Sequence, residues 1–240
     1  MPRNAEKNDE LRESRKKQIL DAALTVYNRF GYHGVVDMEA IAKEARLAKG
    51  LLYYYFKTKK ELFAELFTWM INESGALSDG LLEKTNSLNP IEQLMNYAYG
   101  IFAANKADPR IIQFNMRMPF DAYAVFSPDG WKDGAEKSDM HRRALTDIIK
   151  RGMAQKLIPE ANPGAAANSF WTVFVANVFV YSKLMLGEQE INENRIEAFR
   201  DIVRFGFQGL GIEYVVWNDC LEKVVRENQG SQTVGIFAQV

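Results

Sequence analysis

The sequence predicts an all-α protein, and three observations lead to that fold class. Apolar residues recur at helical spacing over nearly the whole chain, and no long stretch alternates with the period of two that is typical of a strand. Several prolines and glycines fall at the ends of these segments, where helices begin and end. With 240 residues, 47% of them hydrophobic, the chain can bury a sizeable core.

The first part of the chain is predicted to form one helix followed by a pair of short helices. Apolar residues form a stripe over residues 11–30, and Gly31 then ends the first helix. Asp37 is placed to cap the next helix, because its carboxylate can accept the free amides of a first turn. A turn at residues 46–48 leads into a third helix at residues 49–55. Two helices joined by so tight a turn predict a helix-turn-helix motif.

A fourth helix begins at a capping box formed by Thr58 and Glu61, whose side chains can each accept an amide hydrogen that a helix start leaves free. Apolar residues continue at helical spacing to about residue 82. This helix is long enough to join two domains.

The rest of the chain is also predicted to be helical. Two prolines and two Asp-Gly pairs predict a loop at residues 119–137. The predicted helices of this part are residues 90–106, 109–118, 136–155, 163–187, 192–209 and 212–227. The chain is accordingly divided into a head at residues 1–62, a helical body at residues 63–227 and a tail at residues 228–240.

The net charge of −1 conceals an asymmetry. Residues 1–60 carry 13 lysines and arginines against 8 aspartates and glutamates, which gives this part a charge of +5 and leaves −6 for the remainder. A basic head on an acidic body fits binding to phosphate groups. A solvated basic face explains the same charge, so charge alone does not establish DNA binding.

The sequence offers no catalytic, metal or cofactor site. Cys220 is the single cysteine, which excludes an internal disulfide and any site with several cysteine ligands. The two histidines, His33 and His141, stand far apart without a metal-ligand pattern. The glycines at 206–211 have the wrong order for a dinucleotide loop and follow no predicted strand. We therefore expect neither an enzyme nor a bound cofactor.

Residues 19–62 carry a specific ordered pattern. Its elements are Ile19-Leu20 with Ala22-Ala23, Phe30-Gly31-Tyr32, Ile41-Ala42-Lys43-Glu44-Ala45, Lys49-Gly50-Leu51-Leu52-Tyr53-Tyr54-Tyr55-Phe56, and Lys59 with Glu61-Leu62. The pattern resembles the DNA-binding head of the TetR family of transcriptional regulators and covers close to a fifth of the chain. The resemblance implies a homodimeric regulator, expected to be a repressor, which binds an inverted repeat in double-stranded DNA and is released by a small-molecule effector.

The resemblance makes residues 49–55 the helix that enters the major groove of DNA. Gly50 costs about 1 kcal/mol of helix stability against alanine, which clearance against the duplex would explain. Lys49 is placed to donate to guanine or phosphate, and Leu51 to touch a thymine methyl group. Lys59 stands at a helix start, where a cation opposes the helix dipole, so a phosphate partner would explain it. The candidate DNA-binding residues are Arg15, Arg46, Lys49, Gly50, Leu51, Tyr53, Tyr54 and Lys59.

Departures from the family pattern keep a second hypothesis open. Arg46 stands where the family usually has a turn glycine, Ala48 where it usually has a capping hydroxyl, and Leu51 replaces a common threonine. The loop before Asp37 is one residue longer than usual and lacks its usual threonine. The alternative is a helical ligand-binding or catalytic protein whose head does not bind DNA specifically.

Two helices of the body are predicted to form the dimer interface. Residues 165–186 are apolar on more than one face, so this helix must be buried on two sides. Its stripe of small residues consists of Ser169, Val173, Ala176 and Val180. These positions suit close packing against a partner helix, as do Gly206 and Gly209. Together with the resemblance, this predicts a homodimer through residues 165–186 and 192–209.

A membrane span is the competing interpretation of that apolar helix. Its most apolar part, residues 170–181, has about a dozen residues, whereas crossing a bilayer takes roughly 20. Residues 1–17 are polar and show no secretory signal. We therefore expect a cytoplasmic protein without a membrane partner.

Aromatic and methionine residues cluster between residues 97 and 131. A flexible apolar lining with a few polar groups suits a pocket for a hydrophobic small molecule, and Asn177 is the candidate polar anchor. An ordinary core explains any single member equally well. The candidate ligand-binding residues are Tyr99, Phe102, Phe114, Met118, Phe120, Tyr123, Phe170, Trp171, Phe174, Asn177 and Tyr181.

Overall fold

The structure, a computed structural model, describes residues 2–34, 37–126, 132–185 and 195–228. Over these residues the chain is helical and contains no strand, which confirms the predicted all-α class. The helices are α1 (Pro2–Phe30), α2 (Met38–Glu44), α3 (Lys49–Tyr55), α4 (Lys59–Lys84), α5 (Pro90–Ala107), α6 (Arg110–Val125), α7 (Lys132–Ala154), α8 (Pro163–Met185), α9 (Arg195–Gly209) and α10 (Tyr214–Asn228). None of these helices combines the length and the apolar character needed to cross a bilayer.

Side chains at the helix starts confirm the predicted caps. The Asp37 carboxylate accepts a hydrogen bond from the Ala40 amide at 2.7 Å. At the start of α4 the Thr58 hydroxyl accepts from the Glu61 amide at 3.0 Å, and the Glu61 carboxylate accepts from the Lys57 amide at 2.7 Å. The reciprocal bonds leave few unpaired amides at the point where the chain leaves the helix-turn-helix.

The loop predicted at residues 119–137 is wrong over residues 119–125, where α6 continues through Pro119 to Val125, and over residues 132–137, where α7 begins at Lys132. A proline inside a helix removes one backbone hydrogen bond and costs about 3 kcal/mol. Met118, Ala122 and Val125 are buried on one face of α6, and burying this face offsets the cost. The local effect of Pro119 predicted an end of the helix at this point. The packing of the buried face of α6 outweighs that effect. The helix end expected at Gly187 and the start at Asn192 lie outside the described residues.

The chain divides into two compact units, each described by itself. The head unit comprises, in the described part of the chain, residues up to 72 together with 113–126 and the start of α7 to residue 134. Aromatic rings join the helices of this unit, and the domain boundary expected after residue 62 stays a prediction. The Tyr27 ring of α1 lies 5.2 Å from the Phe67 ring of α4 and 5.5 Å from the Phe114 ring of α6.

The body unit comprises residues 73–112 and the described residues from 135 onward. Helix α5 packs against α8, α9 and α10. The large side chains of this core that are fully buried include Tyr97, Phe170, Phe174, Phe199, Phe207 and Trp217. Helices α4 and α6 each have residues in both units.

Candidate nucleic-acid interface

The turn between α2 and α3 forms despite the replacement of its usual glycine. Arg46 adopts a φ of 55°, the left-handed region that favours glycine. Backbone bonds hold it there: the Arg46 amide donates to Lys43 O at 3.1 Å, and the Leu47 amide donates to Ala42 O at 2.9 Å. Ala48 caps α3 without a side-chain hydrogen bond. The two departures from the usual pattern weaken the turn but do not abolish it.

Helix α3 has one face in the core of the head and one face in solvent. Leu52 and Phe56 are buried, at 0% and 3% exposure. The predicted DNA-binding residues of this helix are exposed, namely Lys49, Gly50, Leu51, Tyr53 and Tyr54. The sequence therefore identified both faces of α3. Its exposed face is open for a macromolecular partner.

Gly50 is not required by packing within the chain. A Cβ atom built on it would meet no atom within 4 Å. An alanine would therefore fit the free protein and raise its helix propensity. Packing of the described residues therefore does not explain the absence of a side chain at this position.

Lys49 is paired with a residue that sequence reasoning missed. Its ammonium donates to the carboxylate of Glu39, in the first turn of α2, at 2.9 Å. The hydrogen bond raises the pKa of Lys49, and the negative charge of Glu39 adds to that effect. Both side chains are exposed, so the pair lies on the outer surface of the helix-turn-helix. The hint in the sequence was Glu39 itself, an acidic residue in a segment whose other features suit contact with DNA phosphates.

Lys59 has a partner within the protein that the sequence did not reveal. Its ammonium donates to the backbone oxygen of Tyr32 at 2.6 Å and lies 4.7 Å from the centre of the Tyr32 ring. Partial burial lowers the pKa of Lys59. Lys59 thus ties the start of α4 to the loop between α1 and α2, and its contact with a DNA phosphate stays a prediction.

Two of the three basic residues at 15–17 in α1 form contacts within the protein. Lys16 forms an ion pair with Glu65 of α4 at 2.7 Å. Arg15 is exposed and donates to the Gln18 side chain at 2.8 Å. Gln18 in turn donates to Ala45 O at 2.8 Å, which holds α1 against the end of α2. Of the three basic residues at 15–17, Arg15 stays the candidate for a phosphate contact.

Two residues of α6 hold the last turn of α1 and the loop that follows it, and the sequence did not reveal them. The Arg117 guanidinium donates to Tyr27 O at 2.9 Å and to Asn28 O at 3.3 Å. The Asp121 carboxylate accepts from the Tyr32 amide at 3.3 Å. Burial and the charge of Asp121 raise the pKa of Tyr27. Helix α6 thus fixes the segment that leads into α2.

The predicted ligand-binding residues fall into two groups. Phe114, Met118, Phe120 and Tyr123 lie in the head unit, and the other seven lie in the body unit. Phe114 is a core residue of the head, packed on Tyr27 and Phe67, whereas Phe120 and Tyr123 are exposed. The seven body residues are Tyr99, Phe102, Phe170, Trp171, Phe174, Asn177 and Tyr181.

Two asparagines of the body unit are candidates for a polar anchor, of which the sequence suggested Asn177. The predicted anchor Asn177 bridges two helices, because its side chain donates to Ile202 O of α9 at 3.4 Å. Asn105, which is 3% exposed, donates to the Ser182 hydroxyl at 2.6 Å. The side-chain oxygen of Asn105 is buried and has no hydrogen-bond partner among the residues that the structure describes. A buried acceptor without a donor is unfavourable, so Asn105 is the better candidate for a polar anchor.

The small-residue stripe of α8 lies on a face that is exposed to solvent at least in part. Val180 is 53% exposed, and Phe205 of α9 is 64% exposed. Val173 and Ala176 are half-buried. Gly206 is occupied within the chain, since a Cβ there would lie 3.1 Å from the Phe170 ring, whereas one on Gly209 would meet nothing within 4 Å. An outward apolar face on two neighbouring helices is unfavourable in water.

Comparisons with known proteins point to one group. The sequence profile of the bacterial regulatory proteins of the tetR family matches residues 19–66. The HTH-type transcriptional regulator YhgD of Bacillus subtilis is 42% identical over 172 residues, which cover 70% of this chain and 85% of YhgD. The HTH-type transcriptional repressor KstR of Rhodococcus jostii is 30% identical over 133 residues, or 55% of this chain and 60% of KstR.

A solved structure shares the fold. AibR, crystallised in complex with isovaleryl coenzyme A and operator DNA, superposes with a TM-score of 0.62 at 18% sequence identity. The match covers 79% of this chain and 96% of AibR.

Proposed function

This chain belongs to the TetR family of DNA-binding transcriptional regulators, and from that premise we infer that it is a repressor released from its operator by a hydrophobic small molecule. The observation that carries the DNA-binding part is the exposed face of α3, with Lys49 and Gly50 at its start and two tyrosines one turn later. A donor-rich helix face without an obstructing side chain suits the major groove. The alternative of a head without specific DNA binding is weakened, because the turn forms with Arg46 in place of glycine.

Dimerisation is the second element of the proposal. The outward face of α8 and α9, with Val180 and Phe205 exposed, supports a four-helix contact between two copies. Two copies would place two α3 helices in successive major grooves, about 34–36 Å apart or a multiple of that distance. The operator is then an inverted repeat. A regulator that binds chromosomal DNA works in the cytoplasm, and this is the location that the proposal implies.

Release by an effector is the third element. The aromatic residues of the body unit, with Asn105 as polar anchor, support binding of a largely apolar molecule that carries one hydrogen-bond donor. AibR, which shares the fold, is crystallised with an acyl coenzyme A and operator DNA together. Helices α4 and α6 have residues in both units, so a ligand that moves their body part would also affect the head. To change the operator from 99% occupied to 1% occupied, the ligand must favour the DNA-released state over the DNA-bound state by about 5.5 kcal/mol.

A salt titration tests the DNA-binding part. Fluorescence anisotropy is measured on a labelled duplex that carries the DNA flanking the gene. Three to five cationic contacts in each half-site predict a slope of about −5 to −9 for log affinity against log salt. A slope near zero would overturn the proposal.

A further inference from the structure

We propose that Glu39 is a specificity-determining residue, which reads a G·C base pair in each half-site together with Lys49. Lys49 would donate to guanine, and Glu39 would accept from cytosine. The inference rests on the proposed DNA binding and goes beyond it, because it names the base pair and assigns a role to an acidic residue.

The geometry ties the carboxylate to the reading helix. Lys49 is the first residue of α3, and the first residues of a reading helix are those that contact base edges. The Glu39 carboxylate lies 2.9 Å from the Lys49 ammonium. The side chains are 71% and 54% exposed respectively, so neither is enclosed by protein. A base edge that meets the ammonium therefore meets the carboxylate as well.

The chemistry of the pair selects G·C over A·T. In the major groove guanine presents two acceptors, N7 and O6, and its partner cytosine presents the N4 amino donor. An ammonium beside a carboxylate places a donor group next to an acceptor group. The ammonium can therefore face guanine while the carboxylate faces cytosine. Adenine also presents an amino donor, so the carboxylate excludes a base that presents an acceptor at its position, guanine or thymine. The ammonium separates G·C from A·T, because guanine offers it two acceptors whereas thymine offers one next to a methyl group.

The charge of Glu39 also requires an explanation. A carboxylate on a DNA-facing surface repels phosphates unless a cation neutralises it or a base donates to it. Paired with Glu39, Lys49 adds no net charge to the attraction for DNA of any sequence. Glu39 thus lowers affinity for non-specific DNA while it supports affinity for the correct site.

The test is selection of bound fragments from random duplex DNA with the full-length protein and two variants, Glu39→Gln and Glu44→Gln. Glu44 is also exposed and lies at the last position of α2, so its replacement changes net charge equally and controls for that effect. The wild type and Glu44→Gln should select a G·C pair at one fixed position of each half-site. Glu39→Gln should lose roughly tenfold of the discrimination at that position alone. Its affinity for non-specific DNA should rise, with a salt slope steeper by about 1.

Three results would overturn the inference. The first is an unchanged preferred sequence and an unchanged salt slope in Glu39→Gln. The second is selection of an A·T pair at the affected position. The third is uniform loss of affinity with a lowered melting temperature, as expected of a purely structural residue. Failure of the wild type to select any sequence would instead refute the proposed function, so the two failures are distinguishable.

Discussion

The Lys59 ammonium donates a hydrogen bond to the backbone oxygen of Tyr32 at 2.6 Å, across 27 residues of sequence. The same loop is held from α6 by Asp121, which accepts from the Tyr32 amide at 3.3 Å. Tyr32 is therefore bonded through both its backbone groups to two different helices. The loop that leads into α2 is consequently held in place from two sides, and with it the start of the helix-turn-helix.

Replacing Lys59 with alanine should destabilise the protein and weaken binding to all DNA sequences alike. A hydrogen bond from a charged donor contributes about 1.5–3 kcal/mol, and part of it is lost to water in this half-buried position. Urea unfolding of the full chain should show a loss of about 1–2 kcal/mol. The neighbouring Lys60 is exposed, and Lys60→Ala serves as the control with unchanged stability. Equal stability of the two variants would contradict the role of Lys59.

Replacing Gly50 with alanine should raise stability and lower DNA affinity at the same time. The free protein has room for the added methyl group, and the helix gains about 0.5–1 kcal/mol in unfolding experiments. The methyl group would stand between α3 and the duplex, so anisotropy should show weaker binding. Gly75 lies inside α4 with equally open surroundings, and Gly75→Ala should raise stability without affecting DNA binding. Wild-type DNA affinity in Gly50→Ala would rule out close approach at this point.

Replacing Ala176 with arginine should separate the dimer. The side chain lies on the outward face of α8, beside the exposed Val180, where a charge would be buried on association. Sedimentation velocity at micromolar concentration should give a dimer for the wild type and a monomer for this variant. Leu157, at 39% exposure before α8, provides the control variant Leu157→Arg, which should stay dimeric. A monomeric wild type would refute the interface.

Replacing Asn105 with leucine should remove the preference for ligands that carry a donor. The ligand-free protein should be about as stable as the wild type, because removing a buried acceptor without a partner offsets the loss of the hydrogen bond from Asn105 to Ser182. Thermal shifts are compared for 1-decanol and its methyl ether, which lacks the donor. The wild type should be stabilised more by the alcohol, and Asn105→Leu equally by both. No difference between the two compounds in the wild type would count against Asn105 as the anchor.

The buried faces and the caps of these helices could be predicted from the sequence. The contacts between residues that are distant in the sequence could not. The stripe of α3 with buried Leu52 and Phe56, and the capping bonds of Asp37 and Thr58, follow from spacing and local chemistry. The pairs Lys49–Glu39 and Lys59–Tyr32 join residues that only the folded chain brings together. Packing of α6 likewise overrides the signal of Pro119. Aromatic residues that are close in the sequence were likewise assigned to one predicted pocket, although they belong to two units.

The most direct test of the account is genome-wide selection of DNA fragments bound by the purified wild-type protein. If α3 is a reading helix on a dimeric repressor, the enriched fragments should share an inverted repeat whose half-sites lie one helical turn, or a multiple of it, apart. Binding to that repeat should weaken steeply with salt. Enrichment of no common sequence, together with a flat salt response, would contradict the central claim.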